Sequence, residues 1–385
     1  MSLRKLAVVA AVSLAGYGGS LTAAGAESLK IGIIAPLTGP GAPWGIAMAQ
    51  GAKILAARQN AQGGLEVGGK KYQLEMIAYD DQYKTQEAVS AYIRLVNQDG
   101  VKYVAFTTGG ATMAVKQNLE SDKVIGLSAG FSPQAVDAKT KYVYRAYGIY
   151  VDYFPALYAW LKANKPERRV AIMNPNDETA RDMGVLAEKL LKQNGYEVLT
   201  NEVYERAQKD FAPLLTKIIA SKPELIDLGG SPPNTAALVI RQAREFGYKG
   251  PFLIAVPGWK EVVSAVGNEA AEGIITVLYA DPTNDGYRQL AAEYKKAIGQ
   301  DPNESIAAYY DGINVMVRAI QLSGDVNDTS KFEAAFARAL PMDSVQGEKM
   351  TLGGKDLYGV DHQPNIVRFI GTIKNGEPVI AGKIK

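Results

Sequence analysis

The strongest constraint on this chain is an alternation of short apolar runs with stretches of helical spacing, which runs through once and then starts again. In the first run, Ile31 to Ala35 has the length of one buried strand. Pro36, Gly39, Pro40, Gly41, Pro43 and Gly45 then break the chain, and Ile46 to Ala61 takes up a helical pattern. Tyr72 to Tyr79, Val101 to Phe106, Val124 to Leu127 and Tyr142 to Ala146 read as further strands. Helices are predicted over Lys84 to Gln98 and from the break at Thr107 to Thr112 as far as Leu119. The second run opens with a helix over Asp152 to Asn164. Strands at Arg169 to Met173, Tyr196 to Tyr204, Leu225 to Leu228, Phe252 to Val256 and Gly273 to Leu278 follow. Between them lie helices over Arg181 to Asn194, Phe211 to Ala220 and Asn234 to Phe246. Two such runs predict an α/β protein of two doubly wound, Rossmann-like lobes. Helical patterns at Gly286 to Ile298, Ser305 to Leu322 and Lys331 to Leu340, then Gly-rich β-like segments from Gly347 to Ile380, close the chain. No Pro/Gly linker of the kind that separates independent domains interrupts it, so the lobes are expected to be joined by several crossing segments around a cleft.

A length of 385 residues suits two domains. Arg4 and Lys5, an apolar segment from Leu6 to Leu14 and the small residues up to Ala24-Gly25-Ala26 form the pattern of a secretory signal peptide. Cleavage is expected after Ala26. The apolar run is far short of the ~20 residues a membrane span needs. Without residues 1–26, Lys+Arg falls from 42 to 40 against 40 Asp+Glu. A neutral chain carries no basic excess for nucleic acid or an anionic membrane. Cysteine is absent, which excludes disulfides, thiolate metal sites, a Cys nucleophile and a lipid-bearing Cys at the cleavage point. The expected address is therefore the periplasm of a two-membrane cell. His362 is the single histidine, which leaves zinc chemistry and most acid–base catalysis without their usual residue. No cofactor or metal is expected.

Three short motifs invite a chemical reading. Gly126-Leu127-Ser128-Ala129-Gly130 matches the nucleophile elbow, and aspartates and His362 follow it in hydrolase order. An elbow needs a long helix directly behind its serine, whereas Pro133 and about ten irregular residues lead here to another strand. A secreted Ser-His-Asp hydrolase using Ser128 and His362 is the remote alternative. Gly64 to Lys70 has phosphate-loop spacing but carries Lys71 where Ser or Thr belongs, and it lies between helix and strand in the reverse order, so it reads as a turn. Asp80-Asp81 lacks the further acids of a cation loop and reads as a strand-end pair bonding nearby backbone amides. Among the aromatics, Trp44 and Phe131 lie in Gly-rich loops at strand ends, where a core side chain has little to pack against.

Leu29 to Pro40 (LKIGIIAPLTGP), Trp44-Gly45 and Gly51-Ala52 resemble the start of the mature branched-chain amino-acid-type periplasmic binding proteins of ABC transporters. So do Tyr79 to Gln82, Asp99 to Val104, Tyr144-Arg145 with Asp152, Asp210-Phe211, Gly229-Gly230 and Ile240 to Gly247. The likeness runs from about Ser28 to about Ile370. It implies a type I periplasmic binding protein, with three crossovers near Tyr150, Leu278 and Asp356. One lobe would then comprise residues 27–149 plus 279–355, and the other residues 150–278 plus 356–385. It also implies a non-enzymatic monomer that closes on a solute and presents it to an inner-membrane ABC permease with its ATPase subunits. Carried over position by position, Trp44 packs on the ligand, and Gly109, Gly110 and Thr112, then Ala129, Gly130 and Phe131, hold its carboxylate. The second lobe would contribute Thr179, Ser231 and the neighbourhood of Pro257.

Two departures from the family pattern shape the expected ligand. Ala255 to Trp259 holds no carboxylate to grip an α-ammonium, and Tyr150 stands where an acid often helps. A buried ammonium without its partner costs roughly 3–5 kcal/mol, a hundredfold or more in affinity. The carboxylate side keeps small residues that expose backbone N–H groups. The expected ligand is thus an apolar carboxylate without an amine, of benzoate, hydroxybenzoate or cinnamate type, with Arg181 as a further anion contact. Burying ~150 Å² of ring at ~25 cal/mol/Å² gives about 4 kcal/mol. Charge-assisted bonds add ~1.5–3 kcal/mol each. The alternative within the class is a branched-chain amino-acid or amide binder with its acid elsewhere.

Overall fold

The computed structural model describes residues 27–384, so the expected signal peptide lies outside the described residues. The chain opens with β1 (Glu27–Ala35), α1 (Ala42–Ala61), β2 (Leu65–Val67), β3 (Lys70–Asp80), α2 (Thr85–Asn97), β4 (Tyr103–Phe106), α3 (Gly109–Asp122), β5 (Ile125–Ser128) and β6 (Val143–Arg145). These strands form one sheet in the order β2-β3-β1-β4-β5-β6. It is parallel except at β2, which forms a hairpin with β3. The Gly64 to Lys70 stretch therefore supplies that hairpin and its turn. β1, at the centre, is buried from Ile31 to Ala35, as a parallel strand covered on both faces must be.

A second alternation follows: α4 (Tyr150–Asn164), β7 (Arg169–Pro175), α5 (Glu178–Gln193), β8 (Glu197–Tyr204), α6 (Ala212–Ala220), β9 (Leu225–Asp227), α7 (Pro233–Glu245), β10 (Phe252–Ile254), α8 (Trp259–Val266), α9 (Asn268–Ala271) and β11 (Ile275–Leu278). The chain then returns to the first sheet with α10 (Asp285–Ile298), α11 (Ser305–Ser323) and α12 (Phe332–Ala339). The small ribbon of β12 (Thr351–Gly353) and β13 (Gln363–Asn365), with α13 (Lys355–Tyr358) between them, carries it back. β14 (Arg368–Lys374) and β15 (Glu377–Ile384) end it. The second sheet has the order β15-β14-β11-β10-β9-β7-β8, with β14 and β15 antiparallel to their neighbours. The molecule is thus the expected pair of doubly wound lobes. α8 has no counterpart in the sequence reading: it is eight residues long and starts on Gly258, whose φ of +146° only glycine tolerates readily.

α11 shows how the first half is completed by a late part of the chain. It follows a strand of the second sheet, yet it lies along α1 of the first and is buried over most of its length. At Gly51, a Cβ would meet Ile306 Cγ1 at 3.1 Å. The crossing segments meet at Arg368. Its guanidinium stacks 4.1 Å from the Tyr279 ring centroid and 5.1 Å from that of Tyr147. It also donates to Gly148 O at 3.4 Å and to Gln346 Oε1 at 2.6 Å. Gln346 in turn donates to Asp311 of α11 at 2.9 Å. One arginine ties together the three places where the chain passes between sheets.

Candidate functional site in the interlobe cleft

In open α/β sheets, ligands bind beyond the carboxyl ends of the strands, where helix N-termini converge. Here those ends face each other across a cavity of about 80 Å³. At ~10–15 Å³ per water position, that is roughly five to eight positions, room for one compact solute. A larger groove of about 900 Å³ runs along the hinge, past Glu348, Lys355 and Arg368. It lies away from these strand ends, and its lining charges alternate in sign.

The first lobe supplies three loops. After β1, the chain folds so tightly that a Cβ on Gly45 would lie 2.0 Å from Pro36 O. That turn places Trp44 over the cleft, where its Nε1–H donates to Pro257 O of the other lobe at 2.8 Å. After β4, Thr108 caps α3 by accepting from Ala111 N at 3.3 Å. Gly109 and Gly110, in the first turn, have no intrahelical acceptor for their N–H groups. After β5, Gly130 runs against this turn: a Cβ there would sit 2.0 Å from Gly109 N. Phe131 stacks on Tyr279, with centroids 6.4 Å apart and planes at 14°, and meets Tyr147 edge-on at 6.3 Å.

The second lobe closes the cavity with the N-terminus of α5 and with Gly230, Val256 and Pro257. Asp177 caps α5, accepting from Ala180 N at 2.9 Å. Arg206, just past β8, places its Nε 3.5 Å from Asp177 Oδ2. It stacks across the cleft, 4.5 Å from the Tyr83 ring centroid, and donates to Tyr83 O at 3.3 Å. Burial raises the Asp177 carboxyl above its ordinary value, while the Ala180 N–H and the Arg206 charge pull it down. Lys84 also lines the cavity and donates to Gln82 Oε1 at 3.0 Å.

Of the residues expected from the sequence, Trp44, Gly109, Gly110, Ala129, Gly130, Phe131, Thr179 and Pro257 line this cavity. The other four lie outside its lining. Thr112 sits a turn inside α3, with its hydroxyl 2.9 Å from Ser128 Oγ and 3.2 Å from Thr108 O. Tyr150 starts α4 and packs on Phe154, with centroids 5.3 Å apart. Arg181 turns to the exposed side of α5 and donates to Asn176 Oδ1 at 2.9 Å. Ser231 is buried and accepts from the Tyr204 hydroxyl at 2.9 Å.

Sequence reasoning missed Tyr83, Asp177, Arg206 and Tyr309. Tyr83 follows the acid pair at the end of β3, and Gln82 and Tyr83 both take left-handed backbone conformations, with φ of 50° and 61°. Asp80 and Asp81 hold that turn by accepting from Leu37 N, Gln82 N and Tyr83 N, each at 2.8 Å. An aromatic directly behind such a pair was the available signal.

Ser128 and His362 do not form a catalytic pair. The Ser128 hydroxyl is bonded to Thr112. His362 stacks on Tyr144 at 4.0 Å, with its Nδ1 3.0 Å from Val143 O and its Nε2 facing Glu333. Among the described residues, no three His, Asp or Glu side chains cluster to hold a metal, and no helix is long and apolar enough to cross a membrane.

Two lobes with a solute-sized cavity between their strand ends define a periplasmic-binding-protein architecture, and comparison with known proteins agrees. The family described as periplasmic binding protein matches residues 28–377, and the chain belongs to that family. The leucine-, isoleucine-, valine-, threonine- and alanine-binding protein of Pseudomonas aeruginosa is 24% identical over 328 residues, 84% of this chain and 86% of that protein. The leucine binding protein LivK from Thermotoga maritima superposes with a TM-score of 0.80 at 21% identity, covering 92% of this chain and 98% of that one. A solute binding protein from R. palustris, solved in complex with benzoate, gives 0.79 at 19% identity, covering 92% and 96%.

Proposed function

We propose that this protein is the periplasmic solute-binding component of an ABC importer for a small apolar carboxylate, an aromatic acid of benzoate, hydroxybenzoate or cinnamate type. The mature chain, exported by a signal peptide cleaved after Ala26, acts as a monomer. Its lobes, 27–149 with 279–355 and 150–278 with 356–385, close on the solute and present it to an inner-membrane permease with its ATPase subunits.

One observation carries the choice of ligand. Asp177, a carboxylate of the cavity wall, is already engaged by Arg206 and by the first turn of α5. Gly109 and Gly110, in contrast, line the cavity in the first turn of α3, where a helix leaves its N–H groups without an intrahelical acceptor. With Lys84 and Arg206 on the wall as well, the field favours an anion over an ammonium. The carboxylate would lie on the α3 turn, and the ring among Trp44, Phe131, Tyr147 and Tyr309. The benzoate named for the R. palustris structure is a ligand of this kind. The second reading is a branched-chain amino acid with its ammonium on Asp177, favoured by that residue's presence in the wall and by the amino acids named for the P. aeruginosa relative.

A melting-temperature panel on residues 27–385 tests the choice. Ligand at a hundred times its Kd stabilises by about 2.7 kcal/mol. Benzoate, hydroxybenzoates and cinnamate are expected to raise Tm, and leucine and valine to leave it unchanged. Stabilisation by leucine or valine without any by the aromatic acids would overturn the reading.

A further inference from the structure

The pairing of Asp177 with Arg206 is the one place where the cavity's charge is decided by two side chains rather than by backbone. Asp177 Oδ1 is committed to the Ala180 N–H, a cap that any ligand would leave in place. Its other oxygen, Oδ2, is the atom an α-ammonium would need, and Arg206 Nε lies 3.5 Å from it. Arg206 is held there from the opposite lobe, by the Tyr83 ring and the Tyr83 carbonyl. The cation and the acid belong to the same lobe, and with the lobes together Tyr83 packs over the pair from the other side. Lys84, the other cation of the wall, is turned toward Gln82.

We propose that Arg206 is the specificity-determining residue of the cavity: by neutralising Asp177 it excludes α-ammonium groups, and its removal converts the site into one that accepts zwitterionic amino acids. The inference rests on the carboxylate reading above and deepens it, because it names the residue that separates an acid from an amino acid. An ammonium entering the native cavity would meet a guanidinium at the one carboxylate it could use, and two cations sharing one acid in a partly dry cleft repel. With residue 206 neutral, Asp177 Oδ2 is free to accept an N–H bond from the ammonium, while the α3 turn still receives the carboxylate.

The test measures leucine and benzoate binding by calorimetry and by Tm shift on the mature chain and four variants. Arg206→Gln is expected to improve leucine affinity at least tenfold over the parent. Arg206→Met, which keeps the aliphatic stem on Tyr83, should behave the same way and guards against a folding defect in the first variant. Arg206→Gln combined with Asp177→Asn should lose the gain, because asparagine still caps α5 but offers no charge. Arg206→Lys should keep the parent's preference. Both neutral variants folded, with a leucine Kd within threefold of the parent's, would overturn the inference. So would a gain that survives Asp177→Asn. The two readings fail separately. A parent that binds aromatic acids, with neutral variants that gain no leucine, refutes only the role of Arg206. A parent that binds no aromatic acid, with neutral variants that gain leucine, refutes only the aromatic ligand.

Discussion

Replacing Trp44 by phenylalanine removes one hydrogen bond between the lobes and keeps an aromatic ring on the cavity wall. Phenylalanine keeps a ring beside Tyr83, which Trp44 meets at 6.5 Å with planes at 66°, but it has no N–H to give. The bond lost is the 2.8 Å donation from Nε1 to Pro257 O, which exists only while the lobes are together. A hydrogen bond contributes about 0.5–1.5 kcal/mol net, and a buried carbonyl left without its donor costs about 1–3 kcal/mol. The expected penalty on closure is thus about 1–2 kcal/mol, a factor of roughly five to thirty in the closure equilibrium. Ligand is retained only by the closed form, so Kd should weaken by the same factor, and chiefly through faster release. Calorimetry with the best ligand of the panel, alongside stopped-flow dissociation, reads both quantities. A variant Kd within twofold of the parent, with the variant still compact by small-angle scattering, would refute the claim that this bond stabilises the closed state.

Two further outcomes follow from the packing. Gly130→Ala puts a methyl 2.0 Å from Gly109 N and 2.3 Å from Thr108 C, so the turns after β4 and β5 must separate. Overpacking of this kind costs about 1–3 kcal/mol, read as a lower Tm, and ligand binding should fall more than tenfold; unchanged binding would show that the α3 turn does not hold the ligand. The second concerns Asp227, fully buried at the end of β9, where it accepts from the Tyr158 hydroxyl at 2.7 Å and from Gly229 N at 2.8 Å; burial pushes its carboxyl up to about 6. The native state therefore holds this proton more tightly than the unfolded chain, and stability falls as pH rises from about 4 to about 6, by up to about 3 kcal/mol. Asp227→Asn should lose that slope, and urea melts giving the same pH dependence for both proteins would refute the assignment.

The lobes were legible because their signals are local. Period and length distinguish a buried strand such as Ile31 to Ala35 from the helix behind it without knowledge of any partner. Elements lacking that signal were blurred: α8 is short and opens on an unusual glycine conformation, and β14 and β15 gain their register from β11, far back in the chain. In the first-lobe part of the cavity, Trp44 and Phe131 carried a local signal, aromatics in Gly-rich loops at strand ends, while Gly109, Gly110 and Gly130 were implied by the family resemblance. The charged part could not be read. Arg206 and Tyr83 are 123 residues apart and meet only when two sheets face each other. The family resemblance implies an acid near Val256 to Gly258, just past β10, where this sequence has none. The cavity wall instead takes its carboxylate from Asp177, at the end of β7.

The return of the chain to its second sheet has a consequence for the order in which the molecule can assemble. β11 finds its antiparallel neighbour β14 only after about ninety further residues, nearly all of which belong to the other half. The first sheet, for its part, has all its strands by Arg145 but receives its cover on α1 only with α11. A growing chain therefore cannot cover the first half before α11 and α12 are made, nor finish the second before β14 and β15, and contacts of such long sequence separation are slow to form. The second half matures last, and the crossing segment that ends at Arg368 is among the last parts to be built.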